Sequence, residues 1–178
     1  MEKEFERNEH GHVVLTLTGL NLTGEQEIAR HLASPDAKMC DWAMSCLLSK
    51  NSDGYDAKHR LVEGQVYRVA LMPTNVIKVD SERTADALRQ YGVNNFGYGK
   101  GLAGLIPRMR EVVSNAEMKS MGFRFIAGLH DLIKDSDGDP NELLFDGGDD
   151  GRWLRASWVL PGIRWVGLGA VALLLPAS

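Results

Sequence analysis

The chain is predicted to form a single α+β domain in which an antiparallel sheet packs against several short helices. Segments that alternate apolar and polar residues lie toward both ends of the chain, and segments with helical spacing of apolar residues lie in the middle. With 178 residues, 44% of them hydrophobic and 25% charged, the chain is long enough to bury a real core within one domain.

Residues 1–12 are predicted to form a mobile N-terminal arm, and residues 13–178 the α+β domain. The arm reads MEKEFERNEHGH, which is charged and has no apolar period, so only Phe5 is expected to dock. Its glutamates are incompatible with the basic leader of a signal peptide. The longest apolar run, 166–175, is about half of the ~20 residues that span a bilayer. We therefore expect a soluble cytoplasmic protein that does not enter a membrane.

The first third of the chain is predicted to contain one strand and two helices. The alternating segment Val13 to Thr18 is typical of a strand, and Thr23 can cap a helix from Glu25 to Leu32. Ser34-Pro35-Asp36 supplies a cap, a proline at the first helical position and an early acid, which predicts the start of a second helix. Along that helix a stripe of residues recurs with helical spacing: Met39, Trp42, Ala43, Cys46 and Leu47.

Cys40 and Cys46 are the only cysteines, and both fall on this second helix. Six residues apart they point in different directions, so they cannot bridge each other there. The chain has no Cys-x-x-Cys pair, which excludes zinc sites of the thiolate type. Two reduced cysteines fit a reducing compartment.

The middle of the chain is predicted to be mainly helical. A strand over 62–72 should end at Pro73, with a short neighbour over 76–79. A helix opened by Ser81 should end at Gly92 and be followed by a glycine-rich loop over 92–104. Pro107 can begin another helix, and Ser114 and Glu117 have the spacing of a capping box for a further one.

The last third of the chain is predicted to return to strands. Residues 123–134 fit either a helix or a buried strand, and we favour the strand because an acidic loop and an alternating segment follow. The segments 153–160 and 168–175 are predicted to pair as an antiparallel hairpin over 153–175, with Pro161-Gly162 as the turn.

The most informative feature is an acidic segment over 131–150, interpreted as a loop. Together with Arg152, which follows it closely, the segment holds eight acidic and two basic residues, whereas the whole chain has a net charge of only −4. The acidity is therefore concentrated in one place, and such a field attracts a cation or a basic partner. The carboxylates chosen as candidate partner-binding groups are Asp135, Asp137, Asp139, Asp149 and Asp150.

Part of this segment has the ligand spacing of a calcium loop. Asp135, Asp137, Asp139, Asn141 and Asp146 occupy positions 1, 3, 5, 7 and 12, which would supply several hard oxygens from one short segment. In this spacing the segment resembles an EF-hand loop. It departs from that pattern in having Pro140 where glycine makes the sharp turn, and aspartate rather than glutamate at the last position. Calcium is therefore the one cofactor that the sequence raises.

Tryptophan and arginine are interleaved just beyond the acidic segment, and these residue types dominate the energetics of protein interfaces. By alternation Trp158 is predicted to be buried. Trp153, Arg155 and Trp165 are predicted to be exposed, and we expect them to contribute to partner binding.

Other motifs give weaker signals. The glycine-rich stretch 97–104 has no Ser or Thr after Lys100, as a phosphate-binding P-loop requires. His130-Asp131 is the dipeptide of metal-dependent phosphohydrolases of the HD class, but the other ligands of that class are not evident. Neither cysteine lies in a recognisable activating context, and a pI near 5.7 gives no footprint for direct nucleic-acid binding.

The resulting hypothesis is a small, soluble, non-enzymatic interaction protein. Its acidic loop would bind a basic surface of a partner protein, such as a nucleic-acid-binding protein, and inhibit or modulate it, as accessory proteins of phages and mobile elements do. The alternative is a metal-dependent protein, either calcium-binding or hydrolytic, that uses the same acidic cluster. The sequence does not predict the oligomeric state.

Overall fold

The computed structural model describes residues 4–177, which form one eight-stranded mixed sheet and six helices. This confirms the α+β class. The strands are β1 (Val13–Thr18), β2 (Ala37–Met39), β3 (Val66–Pro73), β4 (Phe125–Gly128), β5 (Ile133–Lys134), β6 (Pro140–Gly148), β7 (Gly151–Trp158) and β8 (Ala170–Leu174). The helices are α1 (Gly24–Leu32), α2 (Asp41–Leu47), α3 (Tyr55–Lys58), α4 (Ala85–Phe96), α5 (Leu105–Val112) and α6 (Asn115–Ser120).

The strands follow the order β1-β3-β8-β4-β6-β7-β2, and β5 pairs with β6 beside this path. The pairs β4–β8 and β2–β7 are parallel and the other pairs are antiparallel. The predicted hairpin over 153–175 is therefore wrong, because β4 and β6 lie between β7 and β8. The reason is hydrophobicity. The apolar strand β8 can be buried on both faces only in the centre of the sheet, whereas the half-polar β7 tolerates a place near the edge.

The sheet buries a different apolar cluster on each face. On one face the strands pack against α2, α3, α5 and α6, with Leu47, Ile106 and Phe145 among the fully buried residues. On the other face they pack against α4, Tyr98 and Trp165. The second face is covered only over the central strands, so that β7 and β2 present half-exposed side chains to solvent there.

The helix boundaries were predicted with mixed success. Thr23 caps α1 as predicted, where it forms a capping box with Gln26, and the predicted capping box of Ser114 and Glu117 is present at α6. The predicted helix start at Ser34 is wrong. Residues 37–39 instead extend to pair with β7, and α2 begins only at Asp41, where the Cys40 sulfur accepts the Ala43 backbone N–H at 3.4 Å.

Helix α4 also runs further than predicted. Gly92 lies inside it, where a Cβ would come within 2.5 Å of the Leu173 side chain, so this glycine lets the helix lie close to β8. The helix ends at Gly97, which has the left-handed backbone angle (φ 69°) that suits glycine. Residues 62–65 precede β3 rather than belonging to it. The short strand expected over 76–79 is not formed, and residues 74–76 form a 3₁₀ turn.

The segment predicted as a mobile arm differs from that prediction where it is described. Phe5 packs against the first apolar cluster, and Arg7 pairs with Val13 at the edge of β1. Asn8 accepts the backbone N–H of His12 at 3.0 Å and donates to the Tyr98 hydroxyl at 2.6 Å. Residues 1–3 lie outside the described residues. Residues 4–12 thus extend the edge of the sheet, because hydrogen bonds from side chains such as Asn8 hold them there.

The region 123–134 contains β4 and β5, which confirms the preference for strand. The acidic segment 131–150, predicted to be a loop, consists mostly of β5, a five-residue turn and β6. Seven residues of this segment are buried, including Leu143 and Phe145. The carboxylates are therefore spread along a strand instead of converging in a loop.

Candidate binding surface

The carboxylates of the acidic segment are distributed between the two ends of β6. Asp137 and Asp139 lie in the β5–β6 turn, and Asp149 and Asp150 lie in the β6–β7 turn. At about 3.3 Å per residue, a nine-residue strand separates these turns by roughly 25–30 Å. The structure thus brings together the acids of each turn but not the two groups.

Four carboxylates of the segment already form ion pairs with cations of the same protein. The pairs are Asp131–Lys100 at 2.5 Å, Glu142–Arg89 at 3.0 Å, Asp146–Arg155 at 2.7 Å and Asp150–Lys38 at 3.1 Å. Because each pair neutralises its carboxylate locally, the segment does not present one strong negative field. Asp137, Asp139 and Asp149 form no ion pair within residues 4–177.

Asp135 is a structural residue of the β5–β6 turn. Its Oδ1 accepts the backbone N–H groups of Asp137 at 2.9 Å and Asp139 at 3.0 Å, and its Oδ2 accepts the Asn141 side-chain amide at 2.8 Å. Both oxygens are therefore used, and only 4% of the residue is exposed. This arrangement is that of an Asx turn, which aspartate commonly forms.

The calcium-loop arrangement is not formed by the predicted ligands. The side chains of Asp135 and Asn141 are hydrogen-bonded to each other. Asp146 lies further along β6, and its carboxylate accepts a hydrogen bond from Arg155. Within residues 4–177 no group of three or more His, Cys, Asp or Glu side chains is placed to hold a metal ion. In the structure the residues with this spacing lie in a tight turn and the strand that follows it.

Trp153 and Arg155 lie together on the half-open face of β7. The Arg155 guanidinium lies 4.0 Å from the centre of the Trp153 ring, and the Lys38 ammonium lies 5.5 Å from it. The Trp153 indole N–H donates to Asp150 Oδ1 at 3.0 Å. The charged and polar groups of these residues therefore already have partners within the protein, through cation–π contacts and hydrogen bonds.

The exposure of the other two C-terminal tryptophans is the reverse of the prediction. Trp165 is buried, with 9% of its surface exposed, and stacks on Phe125 at 5.3 Å, whereas Trp158 is 46% exposed. Alternation failed at Trp158 because it is the last residue of β7, where the regular structure of the strand ends. Trp165 follows an irregular segment that folds back over β4, which no local pattern indicates.

Trp158 lines a groove between α4 and the segment that follows β7. Its cavity volume of about 480 Å³ lies within the range of ordinary ligand sites. Four of the residues that line it are large, apolar and at least 36% exposed: Leu132, Trp158, Leu160 and Ile163. Exposed apolar groups concentrated in this way mark interaction sites more often than isolated ones do.

The segment 159–169 that forms one wall of the groove is anchored by Arg83. This buried guanidinium donates to the backbone oxygens of Ile77 and Trp165, at 2.9 Å and 3.2 Å, and pairs with Asp80 at 2.8 Å. The Trp165 backbone N–H in turn donates to the Arg83 oxygen at 2.8 Å. With Trp165 stacked below, the wall is fixed to the body of the protein, so the groove is preformed.

The opposite wall of the groove contains Arg89, which covers a buried carboxylate. Arg89 pairs with Asp86 and with Glu142, and its Nε donates to the Leu129 oxygen at 3.3 Å. Glu142 is completely buried and its Oε2 has no partner among the described residues. Burial raises the pKa of Glu142 to about 8, although the adjacent Arg89 opposes the shift. Glu142 is therefore consistent with a structural ion pair in which the charged form of the carboxylate is costly to bury.

Arg164 is the groove cation without an acidic partner. Its guanidinium donates to the backbone oxygen of Ser81 and to that of Ile163 at 3.4 Å, and within the described chain it forms no ion pair. It is exposed at the mouth of the groove. An incoming carboxylate could therefore pair with it without displacing an internal one.

The histidines singled out by the sequence are buried in the structure. His130 Nε2 accepts the Leu143 backbone N–H at 2.9 Å, and its ring packs edge-on against that of His59, with 5.1 Å between the ring centroids. Burial lowers the pKa of His130 to about 3. Neither ring lines the groove, and both rings are buried in the core.

The glycine-rich stretch 97–104 does not form a phosphate cradle. Tyr98 is buried and its hydroxyl is hydrogen-bonded to the His12 ring, and Lys100 forms an ion pair with Asp131. Gly104 is present because a Cβ there would come within 2.7 Å of the His59 backbone oxygen. Gly104 therefore allows the start of α5 to pack closely on the segment that follows α3.

Comparisons with known proteins provide no relative. No protein-family model matches the chain, and no curated protein or solved structure is similar to it. None of the helices within residues 4–177 is both long and apolar enough to cross a bilayer.

Sequence reasoning missed most of the groove residues. Leu132 and Leu160 lie at the ends of segments that were predicted to be buried strands, Ile163 lies beyond a turn, and their neighbours across the groove come from α4, more than 40 residues earlier. One local signal was available, since the Pro161-Gly162 turn places apolar residues on both sides of a break in regular structure.

Proposed function

We propose that this protein is a non-enzymatic interaction protein that binds, in the groove around Trp158, an apolar segment of a partner protein that carries a carboxylate. The observation that carries the proposal is the set of four exposed apolar residues around one preformed groove: Leu132, Trp158, Leu160 and Ile163. Binding of such a segment would block or modulate the partner.

The apolar part of the partner follows from the lining of the groove. An exposed tryptophan that becomes buried on binding is the residue type most often found to dominate interface energetics. Trp158 projects from the end of β7, and Ile163 and Leu160 surround it, so several apolar side chains can be buried together. Since Arg83 and Trp165 hold the wall in place, little ordering is needed on binding, which favours affinity.

The carboxylate on the partner follows from the charges. Arg89 is neutralised by Asp86 and Glu142, whereas Arg164 has only backbone oxygens as acceptors. A partner carboxylate near Arg164 would gain a charge-assisted hydrogen bond at the rim. At an exposed rim position we expect this pair to add specificity more than affinity.

The test uses peptides selected from a random displayed library on the immobilised protein as the probe. We expect the selected peptides to share apolar residues and an acidic one. The binding of a synthetic selected peptide is then measured by fluorescence anisotropy for the wild type and for Trp158→Ala. The variant should bind at least about tenfold more weakly, as expected for a hot-spot residue.

Trp42→Ala is the matched control. Trp42 is 41% exposed, close to the 46% of Trp158, but it lies on α2, which packs on the opposite face of the sheet. It should leave the affinity for the peptide within about twofold. Equal binding by the wild type and Trp158→Ala, or equal losses in the two tryptophan variants, would overturn the proposal.

A second candidate keeps the partner with a basic surface that the acidic segment suggested. The observation in its favour is that Asp137, Asp139 and Asp149 form no ion pair among the described residues. If selected peptides are basic, and Asp→Asn changes at these three positions weaken binding and its dependence on salt, this candidate replaces the first. The origin in a phage or mobile element stays a prediction.

The metal-dependent alternative also stays a prediction, and calorimetry with calcium, magnesium and manganese tests it. Micromolar binding that is lost in Asp137→Asn would favour it, since Asp137 has a carboxylate that is not engaged in the turn. We do not favour it because the oxygens of Asp135 are already used by backbone and amide donors.

A further inference from the structure

Four arginines meet where α1, α5 and the beginning of β7 come together, on the face of the sheet opposite α4. They are Arg30, Arg108, Arg110 and Arg152. Only two carboxylates, Glu27 and Glu111, pair with any of them within residues 4–177. In a chain with a net charge of −4, this is a concentrated positive region.

The two carboxylates serve only two of the arginines. Arg108 pairs with Glu27 and, at 2.7 Å, with Glu111, while Arg30 Nε pairs with the other oxygen of Glu111 at 2.6 Å. Arg110 donates to the Val113 oxygen at 3.1 Å and to the Asn115 side chain. No carboxylate is left for Arg110 or Arg152.

Arg110 and Arg152 therefore form no ion pair with a described acid, although Asp146 and Asp36 lie near enough to favour the charged form of Arg110. Arg110 is completely buried, with its guanidinium 5.2 Å from the Phe145 ring, and Arg152 donates to the Arg110 backbone oxygen. The Nε atoms of both arginines are buried and have no acceptor within the described chain. A buried charge without a partner is costly, so its presence at one place calls for a compensating anion.

A cavity opens directly beside these groups. It is lined by Arg30, His31, Ser34, Glu111 and Arg152, and its volume is about 230 Å³. This is below the roughly 300–1,000 Å³ of sites for larger organic ligands, and it suits a small anion. Guanidinium and hydroxyl donors surround the space, and burial together with the neighbouring Arg110 and Arg152 lowers the pKa of His31.

We propose that this cavity binds a tetrahedral oxyanion, either free inorganic phosphate or the phosphate group of a small monoester. Arg152 would provide the principal contact, Arg30 and the Ser34 hydroxyl would close the rim, and Arg110 would add its charge from behind. This site is separate from the groove around Trp158, and it holds whether or not a partner binds there. Guanidinium groups suit this role because they bind phosphate oxygens through paired, charge-assisted hydrogen bonds.

The experiment is calorimetric titration of the whole protein with inorganic phosphate and, separately, with phosphoserine, at constant ionic strength. We expect binding of one anion per chain and a melting temperature raised by phosphate more than by chloride. Arg152→Gln should weaken binding at least about tenfold, because it removes a charge-assisted bond but keeps an amide donor for the Arg110 oxygen. Tighter binding of phosphoserine would identify a monoester as the ligand, and tighter binding of phosphate the free anion.

Arg155→Gln is the matched control. It changes the net charge by the same amount on the same strand, but Arg155 faces the other side of the sheet and pairs with Asp146. It should leave phosphate affinity within about twofold. Arg30→Gln offers a second variant at an exposed position, where loss of folding is not expected, and should weaken binding about threefold.

Glu111→Gln gives the sharpest result, because removing the carboxylate that lines the cavity should tighten phosphate binding by about threefold or more. A purely structural role for the arginines would not produce a gain. Absence of phosphate-specific heat and stabilisation in the wild type, or equal affinity in the wild type and Arg152→Gln, would overturn the proposal. Weaker binding by Glu111→Gln would do the same.

Discussion

Between Asp131 and Asp150 the chain carries eight carboxylates, and four of them are neutralised by lysine or arginine side chains that come from β2, β7, α4 or the loop that follows α4. The arginine cluster of Arg30, Arg108, Arg110 and Arg152 shows the opposite relation. These residues are dispersed in the sequence and share only two carboxylates within the described chain.

The comparison shows that charge density along a sequence and net charge at a place in the fold are different quantities. A strand such as β6 spreads its acids along its length and exposes each to a different neighbour. Packing of α1 and α5 against β7 brings together arginines that are far apart in the sequence. Whether a charge is compensated therefore depends on which element packs beside it, and the following experiments test that dependence.

The largest effect is expected inside the arginine cluster, at the pair Arg108–Glu27. Both side chains are at least 95% buried, and Glu27 also accepts the Tyr55 hydroxyl at 3.2 Å. Arg108→Met should lower the free energy of unfolding at pH 7 by about 3 kcal/mol, because it leaves the buried Glu27 without its cation. Urea unfolding monitored by circular dichroism measures this loss.

The matched control is the double variant Glu27→Gln with Arg108→Met, which removes the buried charge as well as its partner. It should recover most of the lost stability. If the double variant is as unstable as the single one, packing rather than charge compensation explains the effect, and the contrast between the two regions is weakened.

An intermediate effect is expected at Glu142, the buried member of the acidic segment. Because burial raises its pKa in the folded state to about 8, above the 4.5 of an unperturbed glutamate, the folded state binds more protons than the unfolded state between these values. The Glu142 contribution to stability is therefore full below about pH 4.5 and is lost as the pH rises toward 8. The loss expected is a few kcal/mol.

Glu142→Gln removes this titration. Its stability relative to the wild type should increase as the pH rises from 4.5 to 8, since Arg89 keeps Asp86 and the Leu129 oxygen as partners. The measurement is chemical unfolding of both proteins across this pH range. A difference in stability that does not change with pH would show that Arg89 fully compensates the carboxylate.

The smallest effect is expected at the acids that form no ion pair. Simultaneous replacement of Asp137 and Asp149 by Asn should change the free energy of unfolding by less than about 0.5 kcal/mol, because both are exposed. Asp137→Asn alone keeps its backbone N–H for Asp135, so the turn is preserved. A large loss in thermal unfolding would mean that these acids support the fold and are not free for a partner.

Several elements could be predicted from the sequence because their signals are local. The capping boxes at Thr23 and Ser114 are satisfied within one helical turn, and the alternation of Val13 to Thr18 needs only one covered face. The strand in the ambiguous region 123–134 was also identified, from the character of the segments that follow it. The helix start at Ser34 failed because pairing of residues 37–39 with β7 outweighed a locally adequate cap.

The candidate sites were predicted less well for the same reason. Trp153 and Arg155 do lie together, since they are alternate residues of one strand, but the exposure of Trp158 and the burial of Trp165 depend on how residues 159–169 fold back. The groove joins α4 to the end of β7, and the arginine cavity joins α1, α5 and β7. No spacing along the chain encodes these neighbours.

By itself the sequence determined the α+β class, the caps of α1 and α6 and the presence of a strongly acidic segment, because propensity, capping and composition act over a few residues. Only the tertiary structure decided the strand order, the exposure of each tryptophan, and which charges are neutralised. These properties depend on contacts between residues far apart in the chain. Burial in a medium of low dielectric then makes the presence or absence of one partner decisive.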